Sequence, residues 1–308
     1  MMLHVLLLTV GFVFLVKGAD WFVEGAAGIA KKLGIPQLVI GLTIVAMGTS
    51  MPEAAVSITS ALSGSAGISI GNVVGSNILN ILIILGITAV LTNVRIQKTT
   101  FRYEIPFMIG ITIILMAFGI TGNQITFLEG ILFWLLFLIF LGYLFVISKK
   151  GSVQDEEEIK ELPLWKGVLG IIIGGILVVK GSDFAVEGAT EIARYFGMSE
   201  RFIGLTIVAF GTSLPELVTS VTAARRGNAD IAIGNIVGSN IFNILFVIGT
   251  TALICNVPFD QKFVTDTIVA IFSGVLLWAG TIRYKELRKN CGIVMLLCYV
   301  GYFIYLCK

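Results

Sequence analysis

The chain reads as a succession of long apolar runs separated by short polar breaks. Stretches of about 20 residues, enough to cross roughly 30 Å of hydrocarbon as a helix, recur near 2–30, 37–62, 68–92, 103–121, 125–148, 164–193, 200–224, 230–254, 264–282 and 289–307. The pattern predicts an all-α membrane protein with ten transmembrane helices. The first run does not read as a cleavable leader, because it lacks a basic n-region and its apolar character continues past a short h-region. A longer polar stretch from Ser152 to Glu161 divides the chain into a first unit at 1–148, a linker at 149–163 and a second unit at 164–308. Its acidic run, Asp155 to Glu158, is read as a solvated linker in preference to a regulatory cation site.

Positive charge follows the breaks. The loops after the first, third, fifth, seventh and ninth runs carry fifteen Lys and Arg, from Lys31 and Lys32 to Arg288 and Lys289, whereas the other side carries four: Arg194, Arg201, Lys262 and Lys308. Because basic loops are retained in the cytoplasm, the linker is expected inside and both termini outside.

Composition agrees with lipid as the solvent. The 308 residues are 56% hydrophobic and 13% charged, with a mean hydropathy of +0.98, where soluble domains run to about 25% charged. A formal charge of +2 gives no reason to expect a nucleic-acid partner. Cys255, Cys291, Cys298 and Cys307 show no zinc or disulfide spacing, and His4 reads as a polar residue at a helix end.

The second unit repeats the first. A shift of 163 residues aligns Lys17 with Lys180, Asp20 with Asp183, Glu24 with Glu187 and Gly86 with Gly249 without a gap. GLTIVAMGTSMPE at 41–53 matches GLTIVAFGTSLPE at 204–216 in eleven of thirteen places, and SIGNVVGSNILNIL at 69–82 matches AIGNIVGSNIFNIL at 232–245 in eleven of fourteen. Five runs per unit is an odd number, so equivalent helices cross the membrane in opposite directions. The expectation is two inverted five-helix repeats with a binding site near the midplane, the organisation of many secondary transporters.

Glu53 and Glu216 fall inside the second and seventh runs, where an ionised carboxylate costs about 2.5–3.5 kcal/mol even on a lenient insertion scale. With no Lys or Arg beside them, either a proton or a bound cation must offset that cost. Ala46, Thr49, Ser50 and Glu53 share one helical face, as do Ala209, Thr212, Ser213 and Glu216. Pro52 and Pro215 loosen the turns at Gly48 and Gly211, so that carbonyls there can face a cavity. The third and eighth runs add Ser76, Asn77 and Asn80, and Ser239, Asn240 and Asn243. Gly71 with Gly75, and Gly234 with Gly238, read as close-packing surfaces. The ligand set is all oxygen, which excludes soft metals and leaves hard cations such as Ca²⁺ and Na⁺. Lys17, Asp20 and Glu24, with their copies, read as paired structural charges.

The motifs GTSMPE and GTSLPE, each followed by GNVVGSN or GNIVGSN, resemble the two alpha repeats of the sodium/calcium exchangers in the cation/calcium exchanger superfamily. The resemblance covers nearly the whole chain. It implies an antiporter in a multi-pass membrane setting, a prokaryotic plasma membrane by default. Na⁺ and Ca²⁺ would be its substrates, with about three Na⁺ for each Ca²⁺ by alternating access, and it implies no cofactor and no obligate protein partner. Glu53 and Glu216 with the carbonyls of Thr49 and Thr212 would hold Ca²⁺. Na⁺ would use the same glutamates with Ala46, Ser50 and Ser76 on one side and Ala209, Ser213 and Ser239 on the other, with Asn80 and Asn243 lining the middle. Both asparagines are neutral, whereas some relatives, potassium-dependent ones among them, carry an aspartate at one of these two places, which speaks against K⁺ coupling. A proton-driven Ca²⁺ antiporter and a passive cation channel remain open on the residues alone. An enzyme is not expected, since no intramembrane HExxH, serine–histidine pair or aspartate dyad is present.

Overall fold

A computed structural model describes residues 2–150, 162–198 and 209–306. The helices are α1 (Met2–Leu33), α2 (Gln37–Thr49), α3 (Met51–Leu62), α4 (Gly67–Leu91), α5 (Thr100–Gly122) and α6 (Phe127–Lys149) in the first part. The second part has α7 (Leu164–Tyr195), α8 (Ala209–Gly211), α9 (Leu214–Arg225), α10 (Ala229–Ile254), α11 (Gln261–Thr281) and α12 (Lys289–Leu306). Among the described residues, eight are long and apolar enough to cross a bilayer, or nine if α2 and α3 form one span bent by 49°. The run expected at 37–62 is therefore broken, and that expected at 200–224 is described only from Ala209 onward. The acidic stretch Asp155 to Glu158 lies outside the described residues.

The break between α2 and α3 falls at Ser50, whose φ of −85° and ψ of 9° leave the helical region. Pro52 follows within the first turn of α3, where its missing N–H would have no partner in any case. Thus the proline starts a second helix and does not merely kink one. Ser213 repeats the conformation with φ −92° and ψ 4°, and Pro215 again stands in the first turn of α9.

α4 and α10 form the centre. Their apolar windows are 78% and 94% buried, against 22% and 28% for α1 and α7. Both central helices widen into π turns, over Asn80–Leu85 and Asn243–Ile248, so the asparagine of each repeat opens a π segment of the kind that often marks a functional site. Around this centre, exposed side chains such as Leu138, Ile139, Phe145 and Leu297 turn outward, as lipid contact requires.

α1 and α7 pack along their length through glycine. A Cβ on Gly18 would come within 2.8 Å of the Gly174 carbonyl, and Cβ atoms on Gly11 and Gly25 would come within 2.8 and 2.6 Å of the carbonyls of Gly181 and Gly167. Rising numbers on one helix meet falling numbers on the other, so these two equivalents of the 163-residue shift run antiparallel. At about 48 Å long, from 32 residues each at 1.5 Å per residue, both exceed the hydrocarbon thickness of about 30 Å. Arg226, just past α9, ties this pair to the rest, reaching Asp20 at 2.8 Å and Glu24 at 3.3 Å, while Lys180 and Asp183 pair within α7 at 3.1 Å. Asp20 and Glu24 are thus paired across elements.

Gly234 and Gly238 meet backbone as well, with Cβ positions 3.0 Å from Gly41 Cα and 2.8 Å from Leu42 Cα. The expected twin contact at Gly71 and Gly75 is not seen among the described residues: a Cβ on Gly75 meets nothing within 4 Å. Their partners by the repeat, Gly204 and Leu205, lie outside the described residues.

Two short ladders depart from an all-helical architecture. β1 (Val94–Arg95) pairs antiparallel with β4 (Glu286–Leu287), and β2 (Gln124–Ile125) with β3 (Val257–Pro258). Each joins one half of the chain to the other.

Without a hydrophobic force between helices in lipid, packing of this kind holds the bundle. Gly174→Leu is expected to lower the unfolding midpoint in detergent, by about 3 kcal/mol of overpacking, because Phe22 N stands 2.5 Å from its Cβ position. Gly142→Ala, with open space around it, should change stability by no more than about 1 kcal/mol, upward. Thermal denaturation of both variants checks this, and an unchanged midpoint for Gly174→Leu would refute the contact.

Candidate cation site

The first turns of α3 and α9 each present a glutamate. Glu53 and Glu216 are both 1% exposed, and a carboxylate in the first helical turn faces the positive end of the backbone dipole. The serines that precede these helices take the N-cap position yet make no cap bond. Ser50 donates instead to Glu216 Oε1 at 2.8 Å, across from its own half of the chain to the other. Ser213, its counterpart, has a buried hydroxyl without a partner. Ser76 on α4 lies 3.4 Å from Glu53 Oε1, and Ser239 on α10 lies 3.4 Å from the Ala46 carbonyl. The Thr49 hydroxyl stands 3.0 Å from Asn235 Oδ1 and 3.3 Å from the same Ala46 carbonyl. Thr212 is half-buried and turned toward Glu53, as Thr49 is toward Glu216. Ala209 opens α8, with its side chain outside the described set.

Asparagines hold this arrangement in place. Asn72 donates to the Glu53 carbonyl at 3.1 Å and to Ser57 Oγ at 2.9 Å. Its counterpart Asn235 reaches the Glu216 carbonyl at 3.5 Å and Ser220 Oγ at 2.9 Å. Each bent helix is thereby pinned to its central neighbour just past the glutamate. At the axis, Asn77 donates to the Asn240 carbonyl at 3.2 Å and Asn240 to the Asn77 carbonyl at 3.1 Å. Asn80 donates to Asn240 Oδ1 at 2.9 Å, and Asn243 to Asn77 Oδ1 at 3.1 Å. Reciprocal bonds, i to j and j to i, are the mark of a twofold relation.

This wiring leaves specific atoms over. Each of these asparagine NH₂ groups finds an acceptor, whereas Glu53 Oε2, Glu216 Oε2, Asn80 Oδ1 and Asn243 Oδ1 are buried without a hydrogen-bond partner. All four are acceptors. A buried polar group left unsatisfied costs about 1–3 kcal/mol, more if charged, and oxygens of this kind are what a hard cation takes as ligands. Among the described residues no ion pair reaches either glutamate, and no cluster of three His, Cys, Asp or Glu forms anywhere. Two carboxylates among neutral oxygens give the cluster a low formal charge.

The structure therefore gathers Ala46, Thr49, Ser50, Glu53, Ser76, Asn80, Thr212, Ser213, Glu216, Ser239 and Asn243 into or beside one buried polar core. It adds Asn72, Asn235, Ser57 and Ser220, which sequence reasoning passed over. Asn72 lies four residues before Ser76 and eight before Asn80, on the same helical face, and stands in the duplicated GN-x-VGSN motif. That spacing was the signal available.

Comparison with known proteins agrees with this geometry. The family model described as "Sodium/calcium exchanger protein" matches residues 3–146 and 166–308. The chain is 38% identical over 314 residues to the putative antiporter CaxA of Alkalimonas amylolytica, covering 98% of each. It is 33% identical to the sodium/calcium exchanger MaX1 of Methanosarcina acetivorans, covering 98% of this chain and 97% of that one. Among solved structures, the sodium-calcium exchanger NCX_Mj soaked with zero Na⁺ and Ca²⁺ superposes with a TM-score of 0.86 at 32% identity, covering 99% of both chains. With motif, fold and buried oxygen cluster in agreement, the chain belongs to the sodium/calcium exchanger family.

Proposed function

We propose that the protein exchanges Na⁺ for Ca²⁺ across the membrane by alternating access to a midplane site formed where two inverted five-helix repeats, at 1–148 and 164–308, face each other. The observation that carries this reading is the set of four buried acceptor oxygens, on Glu53, Glu216, Asn80 and Asn243, that have no donor. Ca²⁺ takes six to eight oxygens at about 2.3–2.6 Å in an adaptable shell. The two glutamates, bidentate, with the carbonyls of Thr49 and Thr212 reach that number. Na⁺ would share the glutamates with Ala46, Ser50, Ser76, Ala209, Ser213 and Ser239. Sharing makes the two ions competitors, which is the condition for exchange. The Ser50 to Glu216 bond would have to yield when a cation enters, since it occupies one of the carboxylate oxygens.

Two formal negative charges are balanced by one Ca²⁺ and exceeded by about three Na⁺, so the cycle moves one net charge, which a membrane potential biases by about 2.3 kcal/mol per 100 mV. The same reading has the linker in the cytoplasm and both termini outside, by the distribution of Lys and Arg.

Purified protein in Na⁺-loaded vesicles, with no pH gradient and the potential clamped, is expected to accumulate Ca²⁺. Glu53→Gln and Glu216→Gln should each reduce uptake by about a hundredfold or more, corresponding to about 3 kcal/mol for loss of one buried charge partner, while remaining folded by thermal denaturation. Normal uptake in either variant, or uptake that follows a proton gradient and ignores Na⁺, would overturn the assignment.

A second outcome concerns charge. Making the vesicle interior positive should accelerate Na⁺ exit and hence Ca²⁺ entry, and making it negative should slow both. Initial rates measured with valinomycin at set K⁺ gradients check this, and rates independent of potential would rule out the uneven ratio.

A further inference from the structure

The two ladders are equivalent in backbone and opposite in chemistry. At the β2–β3 ladder, residues 119–130 and 255–262 carry one basic residue, Lys262, and two acids, Glu129 and Asp260. At the β1–β4 ladder, residues 92–103 contribute Arg95, Lys98 and Arg102 with no acid. Residues 282–290 contribute Arg283, Lys285, Arg288 and Lys289 against a single acid, Glu286. The register Val94 to Leu287 and Arg95 to Glu286, with Ile96 N bonded to the Lys285 carbonyl at 2.8 Å, makes the two loops one body. Glu286 is shared, 3.9 Å from Arg95 and 3.4 Å from Arg288, and Asp230 nearby is occupied by Gln97. Six of the seven cations are exposed.

Retention of basic loops in the cytoplasm accounts for positive charge on this side. It does not account for how these charges are held. The Lys285 ammonium lies 3.0 Å from the centre of the Phe101 ring, and Arg288 lies 3.6 Å from that of Tyr284. Phe101 is stacked on Trp278, whose indole N–H donates to the Phe101 carbonyl at 3.0 Å. Aromatic residues of this kind sit at headgroup depth, which suits Lys285 and Arg288 to lipid phosphate, and Ile282, Trp278 and Tyr103 beside them in the chain are exposed.

Lys285 also carries a backbone cost. Its φ is +53°, the left-handed region that a residue with a long side chain rarely adopts. The other half of the chain makes the corresponding turn with Asn123 at φ +51°, the residue type that tolerates it best after glycine. A lysine is kept where asparagine would serve the backbone better, which points to use of its ammonium.

We propose that the β1–β4 ladder is a binding site for the headgroup of an anionic phospholipid, with the phosphate held among Arg95, Lys98, Arg283, Lys285 and Arg288 and the acyl chains running along Trp278 and Ile282. Basic clusters between transmembrane helices at the bilayer surface recognise such headgroups, and arginine forks match phosphate bidentately.

The test uses the purified protein in phosphatidylcholine nanodiscs doped with spin-labelled phosphatidylglycerol, reading the motionally restricted fraction. Wild type and a control with equal charge removed elsewhere, K31Q/K32Q/K149Q/K166Q, should retain the restricted lipid. R95Q/K98Q/R283Q/R288Q should weaken its association at least fivefold. K285N, which relieves the backbone, should raise the unfolding midpoint while weakening association about twofold, and it keeps the test valid if the quadruple variant does not fold. Unchanged association in K285N and the quadruple variant, or an equal loss in the control, would overturn the site. Displacement of the label by millimolar inorganic phosphate would assign the pocket to a soluble anion and also overturn it.

Discussion

Two carboxylates buried within the bilayer without a basic partner set the terms for the rest of this structure. An isolated charge in a low-dielectric interior is expensive unless paired or metal-bound, and Glu53 and Glu216 have no Lys or Arg at hand among the described residues. The backbone around them is shaped to that demand. Helices break at Ser50 and Ser213 so that each glutamate begins a new helix and receives the favourable end of its dipole. Central helices widen at Asn80 and Asn243. Asparagine amides donate to backbone carbonyls and to one another, while Glu53 Oε2, Glu216 Oε2, Asn80 Oδ1 and Asn243 Oδ1 stay without a partner.

The remaining architecture serves that centre from two directions. α4 and α10 form an almost fully buried core, bonded to one another through the Asn77 and Asn240 pair and approached to backbone distance at Gly234 and Gly238. α1 and α7 form a separate antiparallel layer whose glycine contacts run along its whole length. Between the layer and the core, Arg226 with Asp20 and Glu24 is a partly exposed ion-pair cluster, and such clusters contribute little to stability, about 0–1 kcal/mol per pair. The layer also meets the core through apolar contact, with Phe22, Val23, Ala26 and Ala30 of α1 packed against Ile40, Val45, Ala223 and Ile231.

Much of this was legible in the residues. Repeated GTS-x-PE and GN-x-VGSN segments at a fixed shift located the paired glutamates, and the all-oxygen set narrowed the ions to hard cations. Apolar runs placed nearly every helix to within a few residues. Partner choice was not legible, because helical spacing states which side chains share a face but not what lies opposite. Hence spacing groups Ser50 with Glu53, three residues on, while in space it bonds Glu216 on the other half. Asn72 and Asn235 went unremarked for the same reason: their role is to bond a neighbouring helix past its break. The two-residue ladders gave no periodic signal, since alternation needs at least four positions to register. π turns follow from tertiary demand and have no local code.

The most direct measurement is diffraction from crystals soaked in Ca²⁺, recording the anomalous signal with and without an excess of Na⁺. A Ca²⁺ peak within coordination distance of both Glu53 and Glu216, lost as Na⁺ is raised, is the expected result. Full Ca²⁺ occupancy elsewhere with these two carboxyl groups unliganded, or a peak between them that Na⁺ leaves untouched, would contradict the assignment of this buried pair as the shared exchange site.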